Sequence, residues 1–292
     1  MSPLDAYSFA FGMGGLEKTA YDSKEKILYG VSEQGIVSTS FRHLTEISLL
    51  LFLPIQSRHL TKTTSLPIYL QISLIDYGKG AVQPPQLPFA ITSENIYTDV
   101  HVCSEEGILF ASSKDDPNRG VLTIFTVAKR RRGSIVEPKL IHTLTVGYGP
   151  DYMNTNSDCS ILAIANEGEG YYDGYLINNE GSVSLVKGPF LNANSPPVVT
   201  EVAFPWTDDE LIEKGIHLPL SANALEYWDE HSSIADDLDF TAARASYTAA
   251  SVLEPEWLVW TPDDQYVLVN LQENCALVKI NVADETAEDI YR

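Results

Sequence analysis

Asn166-Glu167-Gly168-Glu169-Gly170, followed three residues on by Asp173, gathers hard oxygen donors on a glycine-flexed stretch. A calcium ion takes about six to eight oxygens at about 2.3–2.6 Å, so Glu167, Glu169 and Asp173 are the candidate metal ligands and calcium is the one cofactor implied. The stretch lacks the Asp-x-Asp-x-Asp-Gly ladder of a helix-loop-helix calcium site, and in so acidic a chain a solvated loop is the plainer reading. Asp115-Asp116 before Pro117-Asn118 offers similar donors in ordinary turn sequence. Asp236, Asp237 and Asp239 with Glu226 and Glu230 form a second acidic group that reads as a charged face in water.

For nucleophilic or metal-dependent catalysis the chain offers neither a Gly-x-Ser-x-Gly elbow nor a His-Glu-x-x-His helix. The six histidines, at 43, 59, 101, 142, 217 and 231, are dispersed, and His101 and His142 lie in strand-like runs that suit structural roles. No catalytic residue can be named on this basis. Cys103, Cys159 and Cys275 are odd in number and unclustered, which points to neither a disulfide framework nor a zinc site and predicts small buried apolar side chains.

The elements that carry these residues recur. Pro150-Asp151-Tyr152, then Ser157-Asp158, then Ile161-Leu162-Ala163-Ile164 returns as Pro255-Glu256-Trp257, Pro262-Asp263 and Tyr266-Val267-Leu268-Val269. In both copies the second acid lies eight positions after the proline and the strand begins three later. A looser copy starts at Thr98-Asp99-Val100 with Glu106 in the acidic slot, another opens the chain at Leu16-Glu17, and a degenerate one is expected near Thr200-Glu201-Val202. A period of ~50 residues rich in Val, Ile, Tyr and Thr with Gly, Asn and Asp punctuation fits four short strands and their turns. That is one β-propeller blade, so the expected fold is all-β: a YVTN- or WD40-like propeller, an incomplete ring of about four to five blades, with a short helical insertion around 208–245.

Within this frame Asp158 and Asp263 read as turn residues bonding their own backbone two positions on. Tyr152 and Trp257, at one repeat position, read as packing between blades. The last copy, from Pro255, has 38 residues left and is expected to lack a closing strand. Residues 41–75 break the pattern: Arg42, Arg58 and Lys62 with two histidines face one acid, Glu46, around the apolar run Ile47 to Ile55. They read as an atypical insertion within a single domain spanning 1–292, and their foreign composition also fits an unspliced intron or a gene-model error. The run is about half the ~20 residues of a membrane helix, and Pro54 interrupts it.

Hydrophobic content of 44% in 292 residues supports a packed core. A formal net charge of −21 disfavours nucleic acid as partner and leaves cations or basic partners. Lys129-Arg130-Arg131-Arg132-Gly133 is the one basic cluster, and its place between strand-like runs predicts a solvated hairpin tip.

Val146-Gly147 through Pro150-Asp151, Ala165-Asn166-Glu167-Gly168-Glu169, Glu180-Gly181-Ser182-Val183-Ser184-Leu185 and Leu253-Glu254-Pro255-Glu256 leading to Leu271-Gln272-Glu273-Asn274-Cys275-Ala276-Leu277 resemble the choice-of-anchor I β-propeller family. Ala222-Asn223-Ala224-Leu225-Glu226-Tyr227 and Ile234-Ala235-Asp236-Asp237-Leu238-Asp239-Phe240 resemble its animal-type branch, the mesenchyme-specific cell-surface glycoproteins associated with biomineralisation. The resemblance implies a non-enzymatic extracellular or cell-surface module binding protein or mineral-associated partners, with calcium. The alternative is a metal-dependent hydrolase of phytase or lactonase type with acidic residues near the propeller axis. The opening Met1-Ser2-Pro3-Leu4-Asp5 carries no export signal, and the chain looks like a fragment of a longer propeller.

Overall fold

The computed structural model describes residues 18–25, 27–32, 35–40, 51–52, 72–75, 82–83, 90–91, 96–115, 118–132, 134–168, 171–172, 176–219, 221 and 244–292. Runs of Val, Ile, Leu and Tyr broken by Asp, Asn and Gly favour short strands joined by tight turns. Sixteen of the strands form four four-stranded sheets. The first holds β1 (Lys18–Asp22), β2 (Ile27–Ser32), β3 (Gly35–Ser40) and β4 (Ala90–Ile91) in the order β1-β2-β3-β4. The second holds β5 (Ile96–Cys103), β6 (Ile108–Asp115), β7 (Asn118–Thr126) and β8 (Leu140–Thr145), ordered β8-β7-β6-β5.

In the third, β9 (Pro150–Thr155), β10 (Ile161–Asn166), β11 (Ser182–Lys187) and β12 (Val198–Ala203) form an antiparallel meander. The fourth repeats it with β13 (Pro255–Trp260), β14 (Tyr266–Leu271), β15 (Ala276–Asn281) and β16 (Thr286–Tyr291). These are the blades of a β-propeller fold.

Two expectations are corrected. The segment Thr200 to Ala203 does not open a blade: it lies in β12, the outer strand of the third sheet, with Ser182 opposite Ala203 and Lys187 opposite Val198. Only Val202 of that strand is fully buried, as suits a sheet edge. Asp208, which kept the repeat spacing, instead starts helix α1 (Asp208–Glu213), whose N-cap Thr207 makes a reciprocal capping box with Glu210. The chain then passes residues outside the description and a 3₁₀ turn, Ala249–Val252, before β13. α1 stands at the start of the helical insertion expected around 208–245, and 222–243 lie outside the described residues.

The second correction concerns the final copy, which has its closing strand, β16, paired to β15 from Asn281↔Thr286 to Leu277↔Tyr291. It fits into fewer residues because its turns are tight. Cys275 (φ 52°) and Glu285 (φ 56°) adopt the left-handed conformation, and Asn281 Oδ1 accepts from the N–H groups of Ala283 and Asp284 at 3.0 and 3.1 Å.

Residues 41–89 intervene between β3 and β4. Of them, Leu51–Phe52, Ile72–Ile75 and Val82–Gln83 form a separate three-stranded sheet, and the remainder lie outside the described residues.

The chain divides into two compact units, residues 1–111 with 124–140 and residues 112–123 with 141–292. The core of the first gathers Ile27, Tyr29, Val31, Leu109, Phe125 and Val127. That of the second is shared by the third and fourth sheets, with Ala163, Ala165, Val183 and Leu185 packed among Leu258, Val267, Val269 and Val278. Alanines at 163 and 165 keep the facing sheets close, while Leu185, wholly buried, removes apolar surface that stabilises by roughly 1.5–3 kcal/mol.

Candidate functional site

The repeated motif can be followed atom by atom. Asp158 Oδ1 accepts from the Ser160 N–H at 3.0 Å, and Asp263 Oδ1 accepts from the Gln265 N–H at 3.2 Å. Hydrogen bonds from Ser160 and Asn156 hold the Asp158 carboxyl below its ordinary pKa, and those from Thr261 and Gln265 do the same for Asp263. Nine positions after each repeat start, Gly107 (φ 73°), Cys159 (φ 56°) and Asp264 (φ 56°) all adopt the left-handed conformation. The repeated acids therefore close turns, as their spacing predicted.

Asp151 and Glu256 occupy matching register shifts at the openings of β9 and β13, between Pro150 and Tyr152 and between Pro255 and Trp257. Such bulges turn the following side chain. Tyr152 and Trp257 meet with ring centroids 4.2 Å apart, so these residues pack one blade on the next. Further ties join the same two sheets: Trp260 Nε1–H donates to Asn154 O at 3.1 Å, Lys187 pairs with Glu285 at 2.6 Å, and the Ser157 hydroxyl bonds Asp264.

At the proposed calcium loop, Glu167 and Gly168 follow β10, and their N–H groups donate to Gly149 O and Tyr148 O at 2.8 and 3.0 Å. Gly168 has φ 66°, and a Cβ there would come within 2.6 Å of Glu180 and Gly181 backbone atoms, so only glycine fits. Glu169 and Asp173 lie outside the described residues. Among the described residues no trio of carboxylate, imidazole or thiol ligands gathers at Glu167. Asp116, Asp236, Asp237, Asp239, Glu226 and Glu230 also fall outside the description, while Asp115 accepts from Asn118 Nδ2 at 3.5 Å.

Beside that loop lies a polar cluster the motif reading missed. Asn166 is wholly buried and its Nδ2 donates to Ser182 Oγ at 3.2 Å and Ser184 Oγ at 2.9 Å, while Ser184 Oγ accepts from the Gly147 N–H at 3.1 Å. Asn166 Oδ1 is sealed from solvent without a donor. A buried amide oxygen without a partner costs free energy, and it is also a hard ligand. The signal was available in the repeat, because the fourth sheet places Leu271, Ala276 and Val278 at the slots of Asn166, Ser182 and Ser184.

A second missed residue, Asn274, is wholly buried and clamps two backbone segments: Nδ2 donates to Val252 O at 2.6 Å and His217 O at 2.9 Å, and Oδ1 accepts from the Glu254 N–H at 3.0 Å. His101 is half-buried, and loss of solvent around the ring lowers its pKa to about 4, so it is neutral near pH 7. His142 is buried, with Nε2 unbonded.

The cysteine expectation is overturned. Cys103 and Cys159 are disulfide-bonded, and only Cys275 keeps a thiol, on an exposed turn. Odd number and wide spacing hid this because sequence separation says nothing of distance between strands. Among the described residues no helix is long and apolar enough to cross a membrane.

Residues 17–292 match the sequence family described as Choice-of-anchor I domain. None of the curated proteins matches the chain. Among solved structures, a protein from Lactobacillus plantarum aligns at 11% identity and TM-score 0.46, covering 95% of this chain and 56% of that one. A putative 6-phosphogluconolactonase from Bacteroides uniformis aligns at 11% identity and TM-score 0.44, with 94% and 53% covered. The β-propeller domain of Cps50 (Swd1) from Myceliophteria thermophila aligns at 9% identity and TM-score 0.41, with 95% and 73% covered. The chain thus spans little more than half the length of the first two.

Proposed function

The chain belongs to the choice-of-anchor I domain family, and from that membership we propose that it is a non-enzymatic binding module displayed outside the cell or at its surface. The observation that carries this reading is the use made of the repeated acids: Asp158 and Asp263 bind backbone N–H groups of their own turns and hold the blades' shape. The disulfide-bonded state of Cys103 and Cys159 supports the location, since such bonds persist in oxidising compartments. Protein or mineral-associated partners, and the family's animal-type association with biomineralisation, belong to the same reading.

Calcium is its ligand, held by Glu167, Glu169 and Asp173, with the unbonded Asn166 Oδ1 beside Glu167 in support. Titration with calcium by calorimetry tests this. Saturable binding that disappears in Glu167→Gln/Glu169→Gln is expected, and heat unchanged by those substitutions would return the loop to plain solvated surface. One observation favours the hydrolase alternative: Asp151 and Glu256 recur at the openings of the first strands of two adjacent sheets, a placement from which acids of different blades could hold a metal.

A further inference from the structure

The chain has 19 Lys and Arg against 40 Asp and Glu, yet four of the 19 are consecutive at Lys129-Arg130-Arg131-Arg132. Over residues 127–140 five cationic side chains face one acid, Glu137, a local balance of +4 that leaves −25 on the rest of the molecule, whose total is −21. The structure puts this run on a β-hairpin, Lys129–Arg131 paired antiparallel with Ser134–Val136. Arg132 takes the left-handed turn position at φ 49°. Lys129, Arg131 and Arg132 are exposed, and Val136, opposite Lys129, is 48% exposed.

The hairpin stands on a fixed base. The two residues before it, Val127 and Ala128, are buried in the core of the first unit. Val127 N–H donates to Gly107 O, and Ala128 N–H donates to the Tyr29 phenol oxygen, both at 2.9 Å. Thr126 and Lys139 close the base through Thr126 N–H to Lys139 O and Lys139 N–H to Thr126 Oγ1, each 2.9 Å. Burial pushes the Tyr29 phenol above its ordinary pKa, so it stays protonated. A charged tip on a rigid base meets a partner with little ordering cost.

We propose that this hairpin is a docking element for a linear sulfated polysaccharide. Lys129 and Arg131, two residues apart on one strand, share a face at a spacing of about 7 Å. Guanidinium groups bind sulfate oxygens in bidentate fashion, which suits a tip richer in Arg than Lys. The ribbon's three residues per strand span about 10 Å, near the screening length of about 8 Å at physiological salt. A thin chain can lie across such a tip clear of the −25 body, whereas a flat anionic membrane would face that body's field. The choice of a glycan over a nucleic acid rests on the extracellular reading given above.

The 292-residue chain should bind a heparin-derived dodecasaccharide in calorimetry at about 50 mM NaCl, with affinity falling steeply toward about 200 mM as counterions are released. Lys129→Ser/Arg131→Ser/Arg132→Ser should weaken binding at least about tenfold with an unchanged melting temperature, since the substitutions remove three exposed cations. Lys139→Ser, at the base, should weaken it about two- to threefold. Absence of glycan binding, equal binding by the triple variant, or tighter binding to phosphatidylserine vesicles or single-stranded DNA would each overturn the inference. Were that failure accompanied by one free thiol in the native chain and three after reduction, the surface reading would stand without this partner.

Discussion

Loss of solvent around a half-buried ring sets the protonation of His101. The unfolded chain takes up its imidazole proton near pH 6.5, but the native chain does so only near pH 4. Between those values the unfolded state binds more protons, so the stability present above pH 6.5 is lost progressively as pH falls to 4, by up to about 3 kcal/mol. An NMR titration should place the His101 ring near pH 4, and His101→Phe should flatten the fall in melting temperature across that window. A midpoint near 6.5 would contradict the desolvated environment of the ring. Asp158 and Asp263 act lower: their native carboxyls hold protons less readily than unfolded ones, so their contribution is present above the ordinary aspartate range and fades as pH falls through the depressed values. Sequence showed these two turn acids because each partner lies two positions away. It did not show Asn274, whose partners Val252 and His217 are 22 and 57 positions distant.

At the scale of elements, the pair Tyr152 and Trp257 carries the blade contact that the repeat implied. Trp257 remains 48% exposed although its ring meets Tyr152 at 4.2 Å, so the pair is coupled at a half-wet edge of the core. A double-mutant cycle of Tyr152→Ala and Trp257→Ala under chemical denaturation should return a coupling of about 0.5–1.5 kcal/mol, and additive effects would mean the rings meet without mutual stabilisation. Four-stranded blades were legible in the eight-plus-three spacing because turn chemistry is local and the side-chain period of a strand is two. Strand membership beyond that spacing was not. β12 carries the Thr-Glu-Val alternation of a blade opening but pairs with β11, and β16 closes a blade in 38 residues because the turns at Cys275 and Glu285 are short.

For the whole molecule, residues that specify the blades include several described acids that a catalytic reading could have claimed. Asp263 and Asp158 close turns, Asp264 and Glu285 tie neighbouring sheets, and Glu288 and Asp289 pair with Lys279 and Lys214. The cysteines were illegible for a different reason: the disulfide-bonded state of Cys103 and Cys159 leaves no trace in the local sequence. A non-enzymatic binding module, as proposed above, performs recognition without chemistry, and the repeated pair Asp151 and Glu256 is where that proposal can fail. The direct measurement is hydrolysis of lactone and phosphate-ester substrates by the full chain with calcium, magnesium and zinc supplied in turn, beside Asp151→Asn/Glu256→Gln. Rates equal to the metal-only background for both proteins are expected; metal-dependent turnover by the wild type that the double substitution abolishes would contradict the binding-module account and establish the hydrolase.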